Sequence, residues 1–276
     1  MSLADDLRFA VDLARSAGAI VRRHFGQVER LTKTHSMTTD EAVTEGDRAT
    51  QRHIITALRE RFPNDGLVGE ESDSGDGITF ESTDPMGRHW VIDPIDGTNN
   101  YVAGLGAFAV CIGLMDQGRP VLGVVYDVSR DWAYFAAKGE GAWLGTKRIE
   151  ALKKPMGDSS VVMLTSNLLD KDNQCPPYAV RWLAQTNWKI RMLGSAALEA
   201  VQVAAGVANA AITVNGKLWD CVAPAAIVLE AGGTLTDLSG GEIFPFDLKN
   251  YSGAKVPYLA AGPAAHSELL GEIRRP

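Results

Sequence analysis

The stretch Trp90-Val91-Ile92-Asp93-Pro94-Ile95-Asp96-Gly97-Thr98-Asn99 runs from an apolar strand pattern into two carboxylates three residues apart, then into Gly-Thr. Two acids at a strand end, separated by a rigid proline, can both point into one cleft. Hard cations such as Mg2+ demand oxygen ligands, and two carboxylates can bridge a metal pair about 3.5–4 Å apart. Gly97 lets the backbone approach a ligand closely. A helix or turn opening at Gly97-Thr98 would offer free N–H groups to a phosphate. Asp-Gly turns are common, so Asp96-Gly97 alone says little, but the whole string behind an apolar strand is far more specific.

Two further acidic elements stand elsewhere. Glu70-Glu71 follows the short apolar strand Leu67-Val68-Gly69. Alone it reads as surface charge, because glutamate is rarely buried unpaired. Trp219-Asp220 opens an apolar helix from Val222 to Ala231, ahead of Gly232-Gly233. Alone, Asp220 reads as a helix-start residue favoured by the helix dipole.

The surrounding pattern must position these groups. Apolar residues at Leu7, Ala10, Val11, Ala14, Ala17 and Val21 predict a helix over 4–25 with one buried face. Residues 32–46 are polar and predict an exposed mobile loop. A second helix fits Asp47 to Arg61, stopped by Pro63 and Asn64-Asp65-Gly66. Residues 72–87 read as a surface loop. Strand patterns at 89–92, 106–115, 120–127 and 132–137, without helices between them, predict an antiparallel meander. Beyond Lys153-Lys154-Pro155 the character changes. Strands at 160–164, 188–192, 209–214 and 256–260 alternate with helices at 176–185, 195–206, 219–231 and 263–273, which predicts layers of sheet and helix. No long linker separates the two halves, about 1–153 and 154–276, so one domain is expected.

Composition narrows the function classes. The chain has 276 residues, 45% hydrophobic and 22% charged, with a formal net charge of −7. This is an ordinary globular composition with ample core. An acidic chain without a Lys/Arg block argues against a nucleic-acid polymer as partner. It leaves an anionic substrate open, because bound cations reverse the sign of a local site. The N-terminus, with Asp5, Asp6 and Arg8, lacks a signal-peptide core, and the longest apolar run, Gly106 to Met115, is too short to span a bilayer. The protein is expected to be cytoplasmic. Cys111, Cys175 and Cys221 form no Cys-x-x-Cys pair. Cys111 and Cys221 read as core residues.

Together the three acidic elements resemble one family, the inositol monophosphatases, which are Mg2+-dependent, lithium-sensitive phosphatases. The family's first signature is similar to Asp93-Pro94-Ile95-Asp96-Gly97-Thr98, with Asn100 at a further matching place. The second is similar to Trp219-Asp220 followed by Ala223 to Gly233, and Gly69-Glu70-Glu71-Ser72 is similar to its upstream metal-binding element. Order and separations agree over nearly the whole chain.

The resemblance implies an α+β fold, a layered αβαβα sandwich, and a homodimer. It implies a first Mg2+ held by Glu70, Asp93 and the Ile95 carbonyl, and a second held by Asp93, Asp96 and Asp220. A third, weaker ion would lie near Glu70. Thr98, supported by Asp47, would orient a metal-activated water for in-line attack. The Gly97 and Thr98 amides would hold phosphate oxygens, and Asp220 would lie on the leaving-group side. Read by itself, Asp47 could instead cap the second helix. Metal lowers the pKa of water towards ~7. Phosphoryl transfer needs mostly positioning and charge neutralisation, so no protein nucleophile is required.

Gly194-Ser195-Ala196 is similar to the family segment that touches substrate hydroxyls; as residues they also fit a helix N-terminus with Ser195 as cap. Inositol-specific members carry a glutamate where this chain has Thr213, which puts inositol phosphate in question as the substrate. Arg191 could meet a second anionic group or form an ion pair. Fructose 1,6-bisphosphate, histidinol phosphate and adenosine bisphosphate are the other substrates considered.

Rival readings have less behind them. A haloacid-dehalogenase phosphatase needs a second acid two residues after its nucleophile. Here the acids are three apart. A non-catalytic sugar-phosphate sensor would tolerate a missing metal ligand, and none of the expected ones is missing. Gly104-Leu105-Gly106 and Gly139-Glu140-Gly141 do not extend to a dinucleotide fingerprint. No Gly-x-Ser-x-Gly occurs. His24, His35, His53, His89 and His266 show no metal-ligand spacing and read as surface residues.

Overall fold

The computed structural model describes residues 2–26, 45–71, 79–82, 84–169 and 174–275. Seven helices and thirteen strands are assigned among them. In the first part these are α1 (Leu3–His24), α2 (Glu45–Arg61), β1 (Gly66–Gly69), β2 (Thr79–Glu81), β3 (His89–Asp96), α3 (Thr98–Ala103), β4 (Ala109–Asp116), β5 (Arg119–Asp127), β6 (Trp132–Ala137), β7 (Gly141–Leu144) and β8 (Lys147–Ile149). The second part holds β9 (Val161–Leu164), α4 (Pro177–Gln185), β10 (Lys189–Arg191), α5 (Ala196–Ala204), β11 (Ala210–Thr213), α6 (Leu218–Glu230), β12 (Thr234–Thr236), β13 (Tyr258–Ala261) and α7 (Pro263–Arg274).

β1 to β8 form one sheet in the order β2-β1-β3-β4-β5-β6-β7-β8. β3 to β6 are the expected antiparallel meander, β7 and β8 extend it, and β1 joins it by parallel pairing with β3. The second sheet has the order β10-β9-β11-β13-β12. The first sheet is buried on both faces, and β4 shows how one strand serves two cores. Val110, Ile112 and Leu114 pack with Ala10, Ala14, Ile54 and Leu58 of α1 and α2. Ala109, Cys111 and Met115 pack on the other side with Leu198, Val201, Val222 and Ile227 of α5 and α6. Beyond the second sheet, Tyr178, Ala179 and Trp182 of α4 share a core with Ala265 and Leu269 of α7. The layers are therefore α1/α2, first sheet, α5/α6, second sheet, α4/α7, the αβαβα sandwich.

Several expectations need correction. The span 72–87 is not all loop, since Thr79–Glu81 forms β2 on the outer edge of β1. β7, β8 and β12 carry only three or four residues each, too few for a periodicity to show. His89 and His266 are buried rather than superficial. His89 meets Gly87 O and Ser82 Oγ through its two ring nitrogens, and His266 Nε2 meets the Thr236 hydroxyl, so each imidazole has a partner inside the protein. The polar loop placed at 32–46 lies outside the described residues up to position 44; Glu45 and Gly46 already belong to α2. His35 and Ser72 also lie outside them.

Candidate active site

In a regular strand, residues three apart face opposite sides, which would separate Asp93 from Asp96. β3 avoids this with a bulge. Asp93 pairs with Cys111 and Asp96 with Ala109, so three steps on β3 oppose two on β4. The extra residue turns both carboxylates to one side. The Asp93 carboxylate also accepts the Ile95 amide (3.0 Å), which fixes the turn around Pro94. Glu70 arrives from β1. The parallel register sets Gly69 opposite Ile92, and the Glu70 amide donates to the Ile92 carbonyl, so Glu70 lies beside Asp93.

Asp220 comes from the helical layer. Gly113 and Gly123 are paired across β4 and β5 and leave a flat spot in the sheet. A Cβ on Gly123 would lie 2.1 Å from the Ala223 carbonyl oxygen, and one on Gly113 would lie 2.7 Å from Val222 Cγ1. The absence of those side chains lets the first turns of α6 lie directly on the sheet, carrying Asp220 to the end of β3. Pro224 within α6 cannot donate to the carbonyl four residues back. That carbonyl, of Asp220, instead receives the Tyr258 hydroxyl at 3.4 Å, a hydroxyl that also reaches Ala196 O at 3.3 Å.

Asp93, Asp96 and Asp220 each offer an oxygen, and these lie within 4.8 Å of one another. Asp93 and Asp96 are buried; Glu70 and Asp220 are partly exposed at the rim. Desolvation first, then the charge of Asp220, pushes the Glu70 carboxyl well above the usual carboxylate range. Asp93 moves the same way, through desolvation and then Glu70 and Asp220. Asp96 is pushed up to about 7 by desolvation and Asp220, against the opposing pull of Ser195 and the Ala196 and Ala197 amides. At Glu70, Asp93 and Asp96 the main charges behind these shifts are the neighbouring carboxylates. Four acids so placed either hold protons or need cations, and an all-oxygen donor set suits Mg2+.

The remaining predicted residues fall as follows. Asp47 is not an N-cap: it is the third residue of α2, buried, and close enough to Glu70 to raise it. The Thr98 hydroxyl donates to the Ile95 carbonyl at 2.8 Å, and Thr98 opens α3 after Gly97. Gly97 has φ +92° and a Cβ there would lie 2.8 Å from Ala107 O, so only glycine makes this turn without strain. Ser195 caps α5, accepting the Leu198 amide, while its hydroxyl donates to Asp96. Ala196 N (3.1 Å) and Ala197 N (2.9 Å) also donate to Asp96, which thereby joins β3 to α5. Thr213 ends β11 and is 1% exposed, packed beside Gly216. Arg191 is exposed, with Nη1 donating to the neighbouring Ile190 carbonyl.

One residue that the sequence does not single out lies close to Asp96. Glu199 is buried in the first turn of α5, and its Oε1 accepts the amides of Leu193 (2.7 Å) and Gly194 (3.1 Å). Desolvation pushes its carboxyl up to about 8. The one signal in the sequence is a lone acid inside the apolar run Ala196 to Ala205.

Comparison with known proteins places the whole chain. The family model described as the inositol monophosphatase family matches residues 2–275. The chain is 33% identical over 258 residues to the inositol-1-monophosphatase of Bacillus subtilis, covering 94% of this chain and 92% of that one. It is 35% identical over 253 residues to the fructose-1,6-bisphosphatase/inositol-1-monophosphatase of Thermotoga maritima, covering 90% of each. Among solved structures, the Thermotoga maritima IMPase superposes with a TM-score of 0.81 at 31% identity, over 98% of this chain and 96% of that one. The suhB protein of Bartonella henselae superposes at 0.84 with 27% identity, over 98% and 99%. With its bulged Asp93–Asp96 strand end, its Asp220 helix and matches along its whole length, this chain belongs to the inositol monophosphatase family.

Proposed function

We propose that this phosphoric monoester hydrolase acts on a small soluble phosphate monoester with Mg2+ held by Glu70, Asp93, the Ile95 carbonyl, Asp96 and Asp220. The observation that carries the proposal is the cluster of Asp93, Asp96 and Asp220 oxygens within 4.8 Å. Like-charged groups this close, buried and raising one another's proton affinity, are a natural seat for divalent cations. When bound, Mg2+ neutralises the carboxylates and the phosphate and renders a water acidic near neutral pH.

The protein's own groups supply the positioning. Asp96 is held in place by Ser195 and two α5 amides, so its carboxylate is oriented before any ligand arrives. Thr98, aided by Asp47, aligns the attacking water, and the Gly97 and Thr98 amides receive phosphate oxygens. Asp220 serves the leaving-group side, and the backbone of Gly194 and Ala196 faces the rest of the substrate. The protein is read as a cytoplasmic homodimer, inhibited by lithium, with room for a third ion near Glu70. Among the described residues no helix is long and apolar enough to cross a membrane.

Thr213 replaces the acid expected of an inositol-specific site, which removes a negative charge that would repel a second phosphate. A sugar bisphosphate, as in the name of the Thermotoga maritima relative, is therefore preferred to inositol monophosphate. The test is a phosphatase assay on inositol 1-phosphate, fructose 1,6-bisphosphate, histidinol phosphate and adenosine bisphosphate. Activity is expected to vanish in EDTA and return with Mg2+. Full turnover after exhaustive chelation would refute the metal, and a preference for inositol 1-phosphate over the whole panel would refute the substrate reading.

A further inference from the structure

We propose that Glu199 is a positioning residue that anchors the loop entering α5 and thereby aligns the substrate side of the site. The inference rests on the reading of Gly194 to Ala196 as that side. Leu193 is gripped at both ends: Glu199 Oε1 accepts its amide at 2.7 Å, and Asn100 Nδ2 donates to its carbonyl at 2.7 Å. The next amide, of Gly194, also goes to Glu199, at 3.1 Å. Gly194 has φ +76°, and a Cβ there would lie 2.9 Å from the Asn100 side chain. The loop is thus wedged between Asn100 and Glu199.

This placement reaches the reacting region through contact. A Cβ on Gly97 would lie 3.2 Å from both the Gly194 carbonyl oxygen and Ser195 Cβ. The turn assigned to phosphate therefore packs on the loop that Glu199 holds. Asp96 takes the Ala196 and Ala197 amides and the Ser195 hydroxyl, so two buried carboxylates share the polar groups of one five-residue stretch. Asp96 is a proposed metal ligand and its hold is tied to the metal; Glu199 holds the loop from the other side. Glu199 is 1% exposed, and its second oxygen, Oε2, is buried without a hydrogen-bond partner. An acid kept at such cost is explained by the two amides it satisfies, and a glutamine carbonyl would satisfy them equally.

The experiment compares the full-length wild type, Glu199→Ala and Glu199→Gln in saturating Mg2+, with fructose 1,6-bisphosphate and inositol 1-phosphate as probes. Leaving two amides unpaired in Glu199→Ala is expected to raise KM about tenfold, with kcat within about threefold of wild type. Glu199→Gln should keep both parameters within about twofold, because the acceptor remains. An unchanged KM in Glu199→Ala, a loss confined to kcat, or equal losses in both variants would overturn the role. A wild type inert on every probe would sink the reading of the site itself, whereas an active wild type with an unaffected Glu199→Ala would sink only this inference. If Glu199→Ala does not fold, amide hydrogen exchange decides. Slow exchange at Leu193 and Gly194 in wild type and Glu199→Gln supports the anchor, and exchange in wild type as fast as in an open loop contradicts it.

Discussion

The end of β3 and the start of α5 meet at the site, where Asp96 takes the Ser195 hydroxyl and the Ala196 and Ala197 amides, and they contribute by different means. β3 brings side chains, Asp93 and Asp96, turned to one side by a bulge. The α5 segment brings backbone, with the amides of Leu193, Gly194, Ala196 and Ala197 each taken by a buried carboxylate. A centre built from side chains is destroyed by changing one functional group. A surface built from backbone is displaced only when its packing is changed. On the proposed reading, β3 supplies charge for the chemistry, joined by Glu70 and Asp220, and the α5 segment supplies alignment.

Asp93→Asn cuts at the first of these. Asp93 is assigned to both metals, so kcat is expected to fall on the order of 10²–10³-fold, several kcal/mol of lost charge stabilisation, with the fold intact by circular dichroism. Near-wild-type turnover would show that the β3 carboxylates are not the centre. Gly123→Ala cuts at the junction between the two regions. Its methyl would meet the Ala223 carbonyl oxygen at 2.1 Å, so α6 must move away from the sheet. A stability loss of about 1–3 kcal/mol in denaturant melts is expected, with weaker Mg2+ activation because Asp220 moves with the helix. Unchanged stability would mean that the glycine pair does not set the approach of α6.

The pH dependence of the chelated protein offers a smaller and finer test. Asp96 at about 7 and Glu199 at about 8 both lie above their unfolded values in the folded state. The folded protein then binds more protons than the unfolded one, so the stability these groups contribute is present at pH 4 and is lost as pH rises through 7 to 8. In EDTA, Tm should fall between pH 5 and pH 8. Adding Mg2+ at pH 8 should recover most of the loss, because the ion replaces the protons at Asp96. A Tm that rises with pH in EDTA would contradict the crowding of acids.

The legibility of the sequence follows the same division. Asp93 and Asp96 stand out because the whole string behind an apolar strand is specific, Glu70 and Asp220 only through their order and separation from that string, and the long periodic α1 and the strands β4 to β6 announce themselves by their spacing. The bulge that makes Asp93 and Asp96 share a face leaves no mark except Pro94. The glycine pair Gly113 and Gly123 reads as two weak points in strands until α6 is seen lying on it. β2, β7, β8 and β12 are too short to carry a period. His89 and His266 are polar residues whose partners, Ser82 and Thr236, become neighbours only in the fold. Glu199 shows in the sequence only as a lone acid in an apolar run, since its role is defined by amides that any residue would supply.

The central claim is that Glu70, Asp93, Asp96 and Asp220 together form one centre that binds more than one cation. Anomalous diffraction from crystals soaked in Mn2+, a stand-in for Mg2+ with the same preference for oxygen, tests it most directly. Peaks are predicted between Asp93, Asp96 and Asp220 and beside Glu70, both lost in Asp93→Asn crystals. Crystals that bind Mn2+ elsewhere while these four carboxylates stay empty would contradict the account.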